Sequence, residues 1–144
     1  MGHTESRKQI VYLDNLSEIS GDIIFDDEVM TDKLALYDWL HLHHEDFTGQ
    51  YGKFWASYSR APWYIQQVRE NTEKANKYGF TKVSALKLAV VKKIRDFAIG
   101  GGFLFAMCSA TDTYDIALAA EGLDICAGIY DGDDADPNAQ EKLK

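Results

Sequence analysis

The stretch Gly100-Gly-Gly-Phe-Leu-Phe-Ala-Met-Cys-Ser-Ala-Thr-Asp-Thr-Tyr-Asp-Ile-Ala-Leu-Ala-Ala-Glu-Gly122 decides the fold. Its glycines predict a turn, and the continuous apolar run from Phe103 to Met107 predicts a parallel strand covered on both faces. Ser109-Ala-Thr-Asp112 predicts a helix start, because a serine hydroxyl can cap free amides and an acidic residue suits the first turn. Cys108 stands at the corner between this strand and this helix, where α/β proteins place nucleophiles or ligands.

The position of Cys108 makes it a candidate nucleophile. Unpaired backbone N–H groups and the positive end of a helix dipole both favour a thiolate over a thiol. Asp112 and Asp115 oppose this ionisation because they add negative charge nearby. The residues leave open whether Cys108 is a nucleophile or a packing residue.

The spacing of apolar residues predicts the other elements. Val83 to Ile99 predicts the clearest helix, with an apolar stripe and with Lys82, Lys87, Lys92, Lys93 and Arg95 largely off it. The remaining predicted elements are a short helix over Lys8 to Ile19, strands over Asp22 to Phe25 and Leu36 to His43, a helix from Pro62 to about Tyr78 stopped by Gly79, and a strand over Leu123 to Ala127 with Cys126 buried in it.

Strand and helix alternate along the chain, which predicts an α/β fold with a flavodoxin-like three-layer parallel sheet. The 144 residues, 46% of them hydrophobic, suffice for one domain with its own core. We expect one domain over residues 1–144, with flexible ends at 1–7 and 137–144.

Composition excludes several classes of function. The formal net charge of −8 argues against a nucleic-acid partner, because such proteins need a basic face. No apolar run approaches a membrane span, and the polar start of the chain does not predict a signal peptide. The two cysteines are too few for a disulfide scaffold and lack the spacing of a zinc site. We expect no cofactor.

Ligands of parallel sheets bind beyond the carboxyl ends of the strands. This rule brings the Cys108 corner next to His43-His-Glu-Asp-Phe-Thr-Gly49, which follows the other strong strand. His43 or His44 would act as a base for the thiol, and Glu45 or Asp46 would orient the imidazole. The same groups also suit a metal ion, whereas His41 is expected to be a hydrogen-bonded core residue.

The composition of two further segments makes them candidates for ligand binding. Phe47 to Tyr64 is predicted as a long loop rich in aromatic residues, among them Tyr51 and Trp55. It predicts a lid over a small-molecule pocket, a sugar-binding shelf, a cover for the sheet edge or a contact with another domain. Asp131 to Pro137 departs from the EF-hand pattern at Ala135 and Asp136, so a solvated acidic turn is predicted there.

Four runs of the chain closely resemble a Bacteroidetes family that is usually labelled asparagine synthetase B: Tyr37 to Phe54, Lys87 to Phe97, Gly100 to Ala120 and Asp131 to Gln140. The resemblance covers nearly all of residues 18–144. More distantly, a strand ending in a histidine-containing loop, a helix, and then Gly-Gly-Phe-Leu-Phe resemble the ThuA-like and class I glutamine amidotransferase-like superfamily. The resemblance implies that the chain is part of a longer exported or periplasmic protein, with the remainder of its own chain as a partner; a cytoplasmic location is the alternative.

The resemblance places Cys108 at the elbow position of a class I amidotransferase. The flanking residues Ala106-Met-Cys-Ser-Ala110 depart from the glycines that the superfamily prefers, and every histidine precedes Cys108. Residue 2 is glycine where glutamine-dependent asparagine synthetases carry a cysteine, and no phosphate-binding loop occurs.

Two functions therefore remain open. The first is a cysteine-dependent amidohydrolase or amidotransferase-like site, with Cys108 as nucleophile, His43 or His44 as base, backbone N–H groups as oxyanion donors and an amide substrate. The second is a non-catalytic domain that binds a small molecule, a sugar or a metal. The expected ligand-contacting residues are Glu45, Asp46, Ser109, Thr111, Tyr51 and Trp55.

Overall fold

A four-stranded sheet organises the computed structural model, which describes residues 8–9, 23–50 and 52–144. The strands are β1 (Lys8–Gln9), β2 (Ile23–Ile24), β3 (Trp39–Leu42) and β4 (Phe103–Ala106), in the order β2-β1-β3-β4. Strands β3 and β4 run parallel, whereas β1 is antiparallel to both of its neighbours. The predicted α/β class is confirmed, and parallel pairing in the described sheet is confined to β3 and β4.

Helices make up most of the remaining structure. They are α1 (Asp26–Met30), α2 (Gly52–Tyr58), α3 (Pro62–Lys77), α4 (Val83–Ile99), α5 (Ser109–Ala119), α6 (Gly128–Asp131) and α7 (Ala139–Lys142), with a 3-10 turn at Lys33–Leu36. Helix α4 has the predicted bounds, and α3 begins at its proline as expected. Gly79 adopts a φ of +80° just after α3, where a residue without Cβ ends the helix at little cost.

The core lies between one face of the sheet and a layer of helices. Leu40 and Leu42 of β3 are fully buried, and Leu104 and Ala106 of β4 pack against the same cluster. The buried stripe of α4 supplies the opposite wall. Its fully or almost fully buried apolar members are Leu86, Val90, Val91 and Ile94. Helices α1, α3 and α5 all contact α4, which is therefore the centre of this layer.

The expectation that β4 is covered on both faces is wrong. Its outward side chains Phe103 and Phe105 are 57% and 43% exposed, and Met107 is 39% exposed. Successive side chains of a strand point to opposite faces, so the helices that cover Leu104 and Ala106 leave these three uncovered.

Three other sequence predictions need correction. Lys8–Gln9 forms a strand instead of a helix, and residues 10–19 of that predicted helix lie outside the described part of the chain. The strand predicted from Leu36 begins at Trp39, because the 3-10 turn occupies the preceding residues. Leu123 to Ala127 forms no strand.

Side-chain bonds explain the irregular path of this last segment. The Asp124 carboxylate accepts the N–H of Cys126 at 2.9 Å, and the Asp124 N–H donates to the Asp136 carboxylate at 2.8 Å. These bonds occupy amides that a strand ladder would use. Cys126 is buried as predicted.

Lys87 is also placed differently from the prediction, which put it on the solvated face of α4. Its side chain is buried and forms an ion pair with Asp26 of α1, which is equally buried. A buried charge requires such a partner because removal from water is costly. The pair therefore ties the first helix to the central one.

Residues 137–144 include α7, and the Lys144 N–H donates to the Ala119 carbonyl at 3.1 Å. Residues 1–7 lie outside the described part. Among the described residues, no helix combines the length and apolar character that a membrane crossing needs.

Candidate functional site

The corner between β4 and α5 places Cys108 in an unusual backbone conformation. Its φ is 57° and its ψ is −142°, and its side chain is exposed. Residues with a Cβ rarely adopt this combination, which costs about 1–3 kcal/mol when the surrounding structure enforces it. Such strain at a sharp strand-to-helix turn is typical of an elbow that exposes a nucleophile.

The loop that follows β3 lies directly against this corner. The Met107 N–H donates to the Leu42 carbonyl at 3.1 Å, and the Ala110 N–H approaches the His43 carbonyl at 3.4 Å. Farther along α5, the Thr113 hydroxyl donates to the Glu45 carbonyl at 2.7 Å. The two segments that the sequence placed at the same end of the sheet are thus in contact through their backbones.

Three histidines lie close together at the end of β3 and the start of the loop that follows it. The ring centroids of His43 and His44 lie 3.8 Å apart, and those of His41 and His43 lie 6.1 Å apart. His41 also packs on Phe105, and burial, followed by the charge of His43, lowers its pKa from the ordinary 6.5. His41 Nε2 is buried with no hydrogen-bond partner in the described structure. His43 is half-buried and His44 is exposed.

The two carboxylates of the loop shape its backbone. Glu45 is buried and accepts the His43 N–H at 2.7 Å. Asp46 accepts both the N–H and the hydroxyl of Thr48, at 2.8 and 2.6 Å. These bonds fix the turn that carries His43 and His44.

The start of α5 differs from its predicted form. Cys108 occupies the cap position without a side-chain cap bond, and the Ser109 Oγ is buried with no partner in the described structure. Asp112 lies in the first turn as predicted. Exposed Thr111 donates its N–H to the Cys108 carbonyl at 3.2 Å, so this amide closes the turn.

Two helices, α2 and the start of α3, occupy most of the aromatic segment, so the prediction of one long loop is wrong. Phe47 is buried, whereas α2 and α3 carry an exposed aromatic cluster of Phe54, Tyr58 and Trp63, and Trp55 of α2 is also exposed. Ring centroids in this cluster lie between 5.4 Å, for Tyr58 and Trp63, and 6.3 Å, for Phe54 and Tyr58. Tyr51 lies outside the described residues. The aromatic residues Phe54, Trp55 and Tyr58 recur three or four residues apart, which is the spacing of one helix face. The nearby Gly49 and Gly52 favoured the prediction of a loop instead.

A second polar cluster was not anticipated from the sequence. The Lys82 Nζ bonds Asp124, lies 2.7 Å from both carboxylate oxygens of Asp133, and lies 3.3 Å from Asp131. Asp124, Cys126 and Asp131 bring their ligand atoms within 4.8 Å of one another. The lysine ammonium already neutralises part of this charge. Burial raises the pKa of Cys126 to about 11, which opposes the thiolate that a metal would need.

Comparison of the chain with protein-family models, curated proteins and solved structures returns no match. The fold and the site define a mixed α/β protein with an exposed, strained cysteine at a strand-to-helix corner and a histidine pair on the adjoining loop. A functional proposal for this chain therefore depends on the chemistry of that corner.

Proposed function

We propose that this chain is a class I glutamine amidotransferase-like α/β domain with flavodoxin-like layering, similar to the proteins labelled asparagine synthetase B, and that it hydrolyses amides at Cys108. The backbone of Cys108, with its φ of 57°, is the observation that carries the proposal. A packing residue gains nothing from a strained conformation and an exposed thiol. A nucleophile gains access to substrate from both.

The histidine loop supports a base for this thiol. His43 or His44 would accept the thiol proton while the sulfur attacks the amide carbon, forming a tetrahedral intermediate. Collapse would break the C–N bond, and the imidazolium would return its proton to the leaving nitrogen, which departs as ammonia or an amine. Water would then hydrolyse the thioester and regenerate the thiol.

The oxyanion of the intermediate needs hydrogen-bond donors beside Cys108. The Ala110 and Thr111 N–H groups are directed to the carbonyls of His43 and Cys108. We assign the Ser109 N–H as the donor, since it directly follows the nucleophile.

A non-catalytic binding domain is the second candidate. The exposed aromatic cluster on α2 and α3 favours it, because exposed Trp and Tyr rings commonly contact ligands or partners. Trp55 and Trp63 would then supply the contact, with no requirement for a reactive thiol. The same surface would serve a small molecule, a sugar or another domain of an exported protein.

Ammonia release separates the two functions. The purified chain would be incubated with glutamine, asparagine and a panel of simple primary amides, and ammonia would be measured. Cys108→Ser should abolish release, whereas Cys126→Ser, at the other and buried cysteine, should retain it. Release that persists in Cys108→Ser would refute Cys108 as the nucleophile, whereas no release from the unaltered chain with any amide would favour the binding domain.

A further inference from the structure

A cavity of about 340 Å³ lies at the end of α5 opposite to Cys108. It is an open cleft bordered by the start of α4, the last turns of α5 and the segment 122–125. Its apolar lining includes Phe47, Ala85, Leu88, Ala117, Leu123 and Ile125. This volume and lining are those of a small-molecule site, which combines apolar walls with a few polar groups.

One end of the cavity is polar. Lys82 and Asp124 line it, and Lys82 reaches from there to Asp131 and Asp133. Three carboxylates thus surround one ammonium, which leaves two uncompensated negative charges at this end. The same charges raise the pKa of Lys82, with the bond to Asp124 as the largest cause. An anionic ligand is therefore disfavoured, and a cationic one is favoured.

Asp124 is the group that can meet such a ligand. It accepts one bond from Lys82 and one from the Cys126 N–H, whereas a carboxylate offers about four acceptor positions. The wall opposite is formed by Ala117 and Ala120, at the carboxyl end of α5. The carboxyl end of α5 favours positive charge and the start of α4 favours negative charge, so the two helix dipoles oppose each other and the carboxylates decide the preference.

We propose that this cavity binds a primary amine with a short apolar tail, with the ammonium on Asp124 and the tail between α4 and α5. Lys82 remains on Asp131 and Asp133 when the ligand arrives. Helix α5 has 11 residues and spans about 16 Å between this site and Cys108. The proposal stands independently of amide hydrolysis.

Three six-carbon probes test the head group: n-hexylammonium, n-hexanol and n-hexanoate. Binding to the unaltered chain would be measured by isothermal titration calorimetry at low ionic strength. Hexylammonium should bind saturably, at least about tenfold more tightly than hexanol, because a charge-assisted hydrogen bond is the stronger one. Equal binding of hexanol, tighter binding of hexanoate, or no saturable binding of hexylammonium would overturn the proposal.

Charge variants locate the contact. Asp124→Asn should weaken hexylammonium about tenfold, whereas Asp134→Asn, an equal change of net charge outside the cavity lining, should leave it within about twofold. Lys82→Met should tighten binding, because it removes the internal competitor. Equal weakening by both asparagine variants, or weaker binding to Lys82→Met, would contradict the proposed site.

A shape variant gives a test that does not depend on charge. Ala85 lines the cavity and is half-buried, so Ala85→Leu should fill the space and lower hexylammonium affinity about tenfold while the circular dichroism spectrum is retained. Unchanged affinity in folded Ala85→Leu would place the amine elsewhere. This variant also tests whether hexylammonium binds in this cavity if Asp124→Asn fails to fold.

Discussion

Because the backbone at Cys108 is strained, we expect glycine to give a more stable protein than alanine at this position, which is the reverse of the usual order. With φ at 57° and ψ at −142°, a residue with a Cβ loses about 1–3 kcal/mol of stability relative to a relaxed backbone. Glycine escapes this loss but gives up about 0.4–1 kcal/mol through the greater freedom of its unfolded chain. Cys108→Gly should therefore be about 1 kcal/mol more stable than Cys108→Ala, because the exposed thiol contributes little itself.

Urea denaturation followed by circular dichroism would measure both free energies of unfolding. Met107 provides the matched control, since it is adjacent and exposed and has no positive φ. There, Met107→Gly should be about 0.5–1 kcal/mol less stable than Met107→Ala, as at an ordinary position. If Cys108→Gly is also less stable than Cys108→Ala by that amount, the elbow is not strained and the reasoning fails.

Three other perturbations follow from the packing. Lys87→Met should lower the free energy of unfolding by about 3–5 kcal/mol, because it leaves the Asp26 carboxylate buried without its partner, and adding Asp26→Leu should recover most of that stability. A double variant as unstable as Lys87→Met alone would contradict the ion-pair account. Gly49→Ala should cost more than Gly79→Ala in thermal unfolding, since both have positive φ but only the first would bring a Cβ within 2.9 Å of a backbone nitrogen; equal losses would show that this contact is irrelevant. The lowered pKa of His41 means that the unfolded chain takes up its proton first, so stability should fall as pH drops below 6.5; His41→Phe should reduce this slope, and an unchanged slope would exclude His41 as its source.

Local patterns predicted the long helices well. The apolar spacing of α4 and the proline and glycine around α3 are short-range signals, and both helices have their predicted extents. The prediction that β4 is covered on both faces was wrong for a different reason. A continuous apolar run predicts burial on both faces, yet the pattern of one strand does not reveal whether a second layer covers it. Phe103 and Phe105 remain outward and exposed for that reason.

Local sequence patterns could not predict the polar contacts, because the two partners of each contact are distant in sequence. Lys87 lies 61 residues from Asp26, and Lys82 lies 42 residues from Asp124. The spacing of α4 places Lys92 and Lys93 off the buried stripe, but only the packed structure shows that Lys87 is buried against Asp26. The strain at Cys108 is likewise a property of the packed backbone. The strand-to-helix corner itself could be predicted from the glycines, the apolar run and the helix start.

Alkylation of Cys108 by iodoacetamide is the most direct test of the proposed nucleophile. The rate would be measured between pH 6 and 9 in Cys126→Ser, and again with His43→Ala or His44→Ala added, against a free-cysteine peptide. We expect Cys108 to react faster than the peptide at neutral pH, and to lose that advantage when the assisting histidine is removed. A rate equal to that of the peptide, unaffected by either histidine, would contradict a nucleophilic role for Cys108.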